Sequence, residues 1–262
     1  MDKFTIFGDP VAHSKSPQMQ NAGLKYINYN GIYNKTHLED GSQIKKLFLS
    51  DNLKGANITV PHKEEAFKNA DEIRGLALKI GAVNTYINEN GKVVAYNTDA
   101  PGFMKAIEEF GEIKKALILG AGGTAKAIGV AFSEAGIKTT VINRSEKKLD
   151  YFKKLGLKTS SWDDFVCEKY DLVINSTSAG LKDNSYPTPI EMLEDILKNS
   201  KYAFDCIYGK ITPFLQKAKE YNLLYKDGED MLLYQGVIAF EYFTNKKADD
   251  ALVEAMRKGL KA

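Results

Sequence analysis

The stretch Ala116–Gly129, ALILGAGGTAKAIG, constrains the fold more than any other part of the chain. An apolar run reads as a buried strand, glycines then demand a tight turn, and small and apolar residues follow as a helix. Gly120, Gly122 and Ala125 satisfy G-x-G-x-x-G/A with strand before and helix after, the context in which that spacing has physical content. The first glycine makes the turn, the second lets backbone approach a pyrophosphate, and the small third residue admits close helix–strand packing. A purely structural turn is the plain alternative. The strands that follow on schedule favour the nucleotide: Thr139–Asn143, Asp171–Asn175, Tyr202–Asp205 and a short Leu223–Tyr225 continue a βαβ succession. That is the pattern of a Rossmann-type sheet.

The second of these strands ends at Asn143, where an NAD-dependent enzyme carries an acidic residue for the ribose 2′-hydroxyl. Here the chain reads NRSEKK. Arg144, Ser145 and Lys148 supply positive charge and a hydroxyl donor, and a planar guanidinium suits a 2′-phosphate, which favours NADP. The competing reading is a solvated Arg144 offset by Glu146. At a third βα junction, VINSTSAGL, Asn175, Ser176, Thr177 and Ser178 precede Gly180. Their side chains line a nicotinamide or merely cap and turn the chain.

At 262 residues the chain is expected to form about two domains. Short β-rich runs alternate with helical ones throughout, so the fold class is α/β. Before the Rossmann-type part the expected strands are Lys3–Gly8, Ile32–His37, Gly55–Val60, Asn84–Asn88 and Lys92–Tyr96. Helical patterns cover Pro17–Tyr29, Ser42–Leu49 and Asp71–Lys79. Pro101–Gly102 interrupts the chain before a helix Phe103–Phe110, placing a domain boundary near residues 99–102. The expected organisation is a substrate-binding domain over 1–100 and an NADP-binding domain over 101–235. Helices in 236–262 carry apolar faces that must pack, and they are expected to pack back on the first domain.

Basic and acidic residues number 36 and 34, with the signs interspersed, so nothing indicates a nucleic-acid or membrane surface. Cys167 and Cys206 form no C-x-x-C pair, and His13, His37 and His62 lack metal-ligand spacing, so no metal is expected. The opening MDKFTIFGDP lacks a signal-peptide apolar run and no stretch approaches a membrane span, making the cytoplasm the expected location.

The segment NITVPHK, Asn57–Lys63, runs from a strand into proline, histidine and lysine. Pro61 is expected to end strand pairing and pre-set a helix, leaving Lys63 just beyond a strand's carboxyl end, where open α/β sheets hold ligands. In GDPVAHSKSPQMQN, Ser16 and Pro17 read as an N-cap and first helical residue, while Ser14 stands two residues earlier. Two hydroxyls at a helix start make a neutral receptor for a carboxylate, although capping explains one of them. Asn84 in GAVNT and Asp99 in YNTDAPG lie beside strand ends, and Asp99 near Lys63 would form an orienting ion pair.

Taken together, Ser14-Lys15-Ser16-Pro17, NITVPHK, GAVNT, Asn97-Thr98-Asp99, GAGG, NRS, NSTSAG and GEDMLLYQG at Gly228–Gly236 resemble the shikimate dehydrogenase family over nearly the whole chain. The resemblance implies NADP-dependent, reversible reduction of 3-dehydroshikimate to shikimate in chorismate and aromatic amino acid biosynthesis. A quinate/shikimate dehydrogenase using NAD or both cofactors is the alternative. It implies that Ser14 and Ser16 hold the substrate carboxylate and that Thr59, Lys63, Asn84, Asp99 and Gln235 meet the ring hydroxyls. Lys63 and Asp99 correspond to the catalytic pair, and Tyr208 to a tyrosine near substrate and nicotinamide. Cofactor contacts are implied for Gly120, Ala121, Gly122, Gly123, Thr124, Ala125, Asn143, Arg144, Ser145, Lys148, Thr177, Ser178, Gly228 and Met231. The implied partner is a small molecule, with the chain a monomer or homodimer. Two positions depart from the family pattern: Gln20 replaces a common histidine, with a peripheral effect expected, and Lys210 replaces a proline in the loop of Tyr208.

Overall fold

The computed structural model describes residues 1–262, which divide into two compact units, Met1–Gly102 with Leu232–Ala262, and Phe103–Met231. In the first unit the order is β1 (Asp2–Gly8), α1 (Ser16–Tyr26), β2 (Gly31–His37), α2 (Ile44–Ser50), β3 (Gly55–Ile58) and α3 (Lys63–Asn69). Then come β4 (Glu72–Ile73), α4 (Ala77–Ile80), β5 (Thr85–Glu89), β6 (Lys92–Tyr96) and α5 (Asp99–Ala106), which runs on past the unit's boundary. The second unit continues with β7 (Lys115–Leu119), α6 (Gly123–Glu134), β8 (Lys138–Ile142), α7 (Asp150–Lys154), β9 (Lys158–Ser160) and β10 (Tyr170–Asn175). It is completed by α8 (Ile190–Lys198), β11 (Ser200–Asp205), α9 (Pro213–Glu220) and β12 (Leu224–Lys226). Two helices, α10 (Glu229–Thr244) and α11 (Asp250–Lys261), end the chain.

The first unit's sheet has the order β2-β1-β3-β5-β6-β4. Its β2-β1-β3 part is parallel, and β5 joins β3 and β6 antiparallel. One face is covered by α1, α10 and α11, where Met19, Leu233, Phe240 and Met256 bury against Phe4 and Ile6 of β1. On the other face Ile44, Phe48 and Ala66 pack on Phe7, Ile58 and Tyr86. Glycines admit this close packing: a Cβ at Gly236 of α10 would overlap Met19 of α1.

The second unit's sheet is wholly parallel with the order β12-β11-β10-β7-β8-β9. This is the doubly wound dinucleotide order, whose switch point lies between β7 and β10. The inner strands are apolar on both faces, as burial beneath two helical layers requires.

Three local expectations are corrected. Of Asp71–Lys79 only Ala77–Lys79 is helical, within α4: Asp71 and Arg74 donate their amides to Val93 and Ala95 of β6, and Gly75 turns the chain at φ +64°. Edge pairing overrides the helical pattern there. Pro101–Gly102 does not interrupt the chain before a helix either, because α5 begins at Asp99 and passes through both residues. Proline in a first turn forfeits no helical hydrogen bond. Gly102 is needed because a Cβ would lie 2.6 Å from the Gln235 amide nitrogen, so α5 and α10 cross in backbone contact. Lastly, β3 stops at Ile58 and α3 begins only at Lys63, with Val60–Pro61 as a cis peptide and the His62 amide closing a turn onto Thr59 O at 3.0 Å. Pro61 therefore stands outside the helix it was expected to open.

Candidate active site

Lys63 is the first residue of α3, and its backbone carbonyl accepts from Val83 N at 3.0 Å. The preceding residue anchors the turn: His62 is buried, its Nε2 lies 2.5 Å from Leu38 O, and Gly41 leaves room for its ring. From this mount the Lys63 ammonium donates to Asp99 Oδ2 at 2.6 Å. The Lys63 and Asp99 side chains are 25% and 12% exposed, so solvent screens the pair only partly. Asp99 opens α5, where a carboxylate is favoured by the helix dipole, and its amide is held by Asn97 Oδ1 at 3.0 Å.

The second carboxylate oxygen is also engaged. Asn84 Nδ2 donates to Asp99 Oδ1 at 3.0 Å and to Thr98 Oγ1 at 2.9 Å, with Gln235 Oε1 3.4 Å away. Asn84 Oδ1 accepts from Thr98 N at 2.8 Å, which fixes the amide's orientation. Beneath it, Asn57 donates to Asn84 O at 3.2 Å and accepts from the Tyr33 hydroxyl at 2.7 Å. Asp99 is thus clamped on both oxygens. The ammonium uses one of three donors on it, which leaves hydrogens for a ligand oxygen.

Lys63, Asn84, Asp99 and Gln235 are separate candidates in the sequence, and the structure brings them into one hydrogen-bonded cluster. The support from Asn57, Thr98 and Tyr33 is not among the sequence expectations. The available signal was a polar Asn57 within a β-run, a residue type that strands disfavour unless it is bonded. Thr59 is half-buried beyond the end of β3, with its amide on Phe7 O at 2.9 Å.

The serine loop differs from expectation in one respect. The N-cap of α1 is Lys15, which makes no side-chain cap, and Ser16 is already helical. Ser14 Oγ accepts from Ser16 N at 3.3 Å. Both serines are buried, and Ser16 stands within the helix rather than at its N-cap. Gln20 is 1% exposed and donates to Gly236 O at 2.9 Å, tying α1 to α10 beside Gln235.

In the second unit, Gly120 turns at φ +101°, and a Cβ on it would lie 2.7 Å from Thr177 Cγ2. At Gly122 and Gly123 a Cβ would meet nothing, so the protein's own packing leaves a bare cradle at the start of α6. No side chain caps that helix and no acidic residue occupies its first turn, so its free amides suit an anion. Thr124 is half-buried in that turn, while Ala121 and Ala125 are buried against the sheet. A pyrophosphate fits these residues.

Past β8, Asn143 donates to Ser145 O at 2.9 Å, and Arg144, Ser145 and Lys148 are exposed. Glu146 reaches Lys153 at 3.4 Å rather than Arg144, leaving the guanidinium available for a phosphate. At the end of β10 the Thr177 hydroxyl is committed to the chain, and Ser178 is exposed. Tyr208 is half-buried, and burial raises its phenol pKa, keeping it neutral. Its loop is held without proline: Gly209 turns at φ +78° and donates to Asp227 at 3.1 Å, and Lys210 donates to Leu181 O at 2.7 Å. Gly228 donates to Ile207 O at 2.9 Å, with Met231 buried nearby in sequence.

Known proteins share this chain's pattern along most of its length. The model of the shikimate dehydrogenase substrate binding domain matches residues 6–86, and that of the shikimate 5'-dehydrogenase C-terminal domain matches residues 228–261. A shikimate dehydrogenase (NADP(+)) of Helicobacter hepaticus is 44% identical over 257 residues, covering 97% of this chain and 95% of the relative. One of Helicobacter pylori is 44% identical over 248 residues, covering 93% of each. Among solved structures, shikimate 5-dehydrogenase of Thermus thermophilus in complex with NADP(H) and shikimate superposes with a TM-score of 0.88 at 32% identity, covering 100% of this chain and 99% of that one. Shikimate dehydrogenase of Aquifex aeolicus gives 0.89 at 34%, covering 98% and 97%.

Proposed function

The chain belongs to the shikimate dehydrogenase family, and we propose that it reduces 3-dehydroshikimate to shikimate, reversibly, with NADPH. The observation that carries this reading is the Lys63–Asp99 pair at 2.6 Å, locked by Asn84 and flanked by Gln235. When bound, NADPH supplies the hydride that reduces the ring carbonyl. Lys63 faces the oxygen on which negative charge develops; its ammonium stabilises that charge and gives up the proton. Asp99 orients Lys63 and accepts from the neighbouring ring hydroxyl. Asn84, Thr59 and Gln235 present further polar groups to the hydroxyls, and Ser14 and Ser16 receive the carboxylate with neutral donors. In the other unit, Gly122, Gly123 and the first turn of α6 hold the pyrophosphate. Arg144, with Ser145 and Lys148, selects the 2′-phosphate. Tyr208, Gly228 and Met231 border the nicotinamide.

The proposed location is the cytoplasm, on the sequence reading; no helix is long and apolar enough to cross a membrane. The test is a spectrophotometric assay of NADPH consumption with 3-dehydroshikimate, run in reverse with shikimate and quinate against NADP and NAD. Turnover of shikimate with NADP is expected to dominate. Preference for NAD would overturn the role given to Arg144, and inactivity with 3-dehydroshikimate would overturn the function.

A further inference from the structure

Asp205, the last residue of β11, is fully buried, and the reaction just described leaves its carboxylate unused. Its hydrogen-bond partners are all donors. Ile207 N lies at 2.9 Å, the Thr212 hydroxyl at 2.6 Å, and Asn175 Nδ2 at 3.1 and 3.2 Å from the two oxygens. A group that only accepts is what three converging donors require.

The bond to Asn175 reaches furthest. Asn175 and Asp205 are paired in register across β10 and β11, and Asn175 is paired in turn with Leu119 of β7. Asn175 Oδ1 accepts from the Thr177 amide at 3.0 Å and from the Thr177 hydroxyl at 2.7 Å. Since a backbone N–H can only donate, the amide oxygen must face Thr177 and the amide nitrogen must face Asp205. The Thr177 hydroxyl then accepts from Ala179 N at 3.1 Å. The methyl of Thr177 is thereby set against Gly120, and Ser176 beside it donates to Leu119 O at 2.8 Å. These residues line the carboxyl ends of β7 and β10, the switch point at which a doubly wound sheet binds its dinucleotide.

We infer that Asp205 is a positioning residue for the dinucleotide: through the Asn175 amide it holds Thr177 against Gly120 and so shapes the crevice at the switch point. This rests on the reading of the second unit as the NADP site. In Asp205→Asn a carboxamide meets three donors and has only one acceptor oxygen. Asn175 is then free to turn over, and the Thr177 amide loses its partner.

The test is calorimetric titration of NADP+ into the full-length wild type, Asp205→Asn, Thr177→Val and the double variant. Each single change is expected to weaken binding by about tenfold or more. The double variant is expected to bind no more weakly than the weaker single, because both changes break one chain of bonds. Multiplying losses, or an Asp205→Asn variant that binds as the wild type does, would overturn the inference. So would wild-type affinity in Thr177→Val, an outcome independent of whether the Asp205 variant folds. A folded wild type that takes up no NADP+ would instead overturn the dinucleotide reading, and the inference with it.

Discussion

Replacing Asp205 by asparagine should change how the protein's stability depends on pH, by an amount the structure sets. Burial raises the Asp205 pKa from 3.8 to about 6, against the opposing pull of Thr212, Ile207 and Asn175, and the charge of Asp227 adds to the rise. The folded protein therefore keeps this proton to a higher pH than the unfolded chain does. Between about pH 4 and pH 6 the unfolded state binds fewer protons, so stability falls as pH rises through that window and is level above it. A rise of about two units, at about 1.36 kcal/mol each, amounts to about 3 kcal/mol. Other carboxylates with lowered pKa values, such as Asp171, slope the opposite way, so the quantity to follow is wild type minus Asp205→Asn. Urea unfolding read by Trp162, the sole tryptophan, reports on this unit because Trp162 packs against its core. The difference is expected to drop by about 2 kcal/mol from pH 4 to pH 7. A flat difference, or one that rises, would refute the reasoning.

Other consequences are separate. Arg144→Ala should weaken NADP+ by about 10- to 100-fold while leaving NAD+ nearly unchanged, the cost of one charge-assisted phosphate contact, as read from the two KM values. Gly120→Ala forces a Cβ at φ +101° into Thr177; it should cost about 1–3 kcal/mol in urea unfolding and weaken NADP+ in the same titration. Gln20→Ala leaves the Gly236 carbonyl without its donor between α1 and α10 and should cost about 1–3 kcal/mol in urea unfolding.

Much of this molecule was legible in the chain because local and global signals agreed. The strand–glycine–helix run at Ala116–Gly129 fixes its own geometry, and the βαβ succession after it gives a parallel sheet in which β7 is an inner strand. Lys63 and Asp99 stood out as charged residues next to strand ends. What the chain concealed depends on partners distant in sequence. Gln20 and Gly236 are tied by a bond that no local pattern encodes, and Pro101–Gly102 looks like a break until α10 is laid across it. Asp205 reads as an ordinary strand end. Its role becomes visible only when Asn175 and Thr212 converge on it.

The most direct test of the central claim is steady-state kinetics of Lys63→Ala. Loss of the general acid should lower kcat by about 100- to 10,000-fold while the KM for shikimate stays within about threefold. Retained turnover, or a loss carried as much by KM as by kcat, would contradict the assignment of Lys63 as the proton donor.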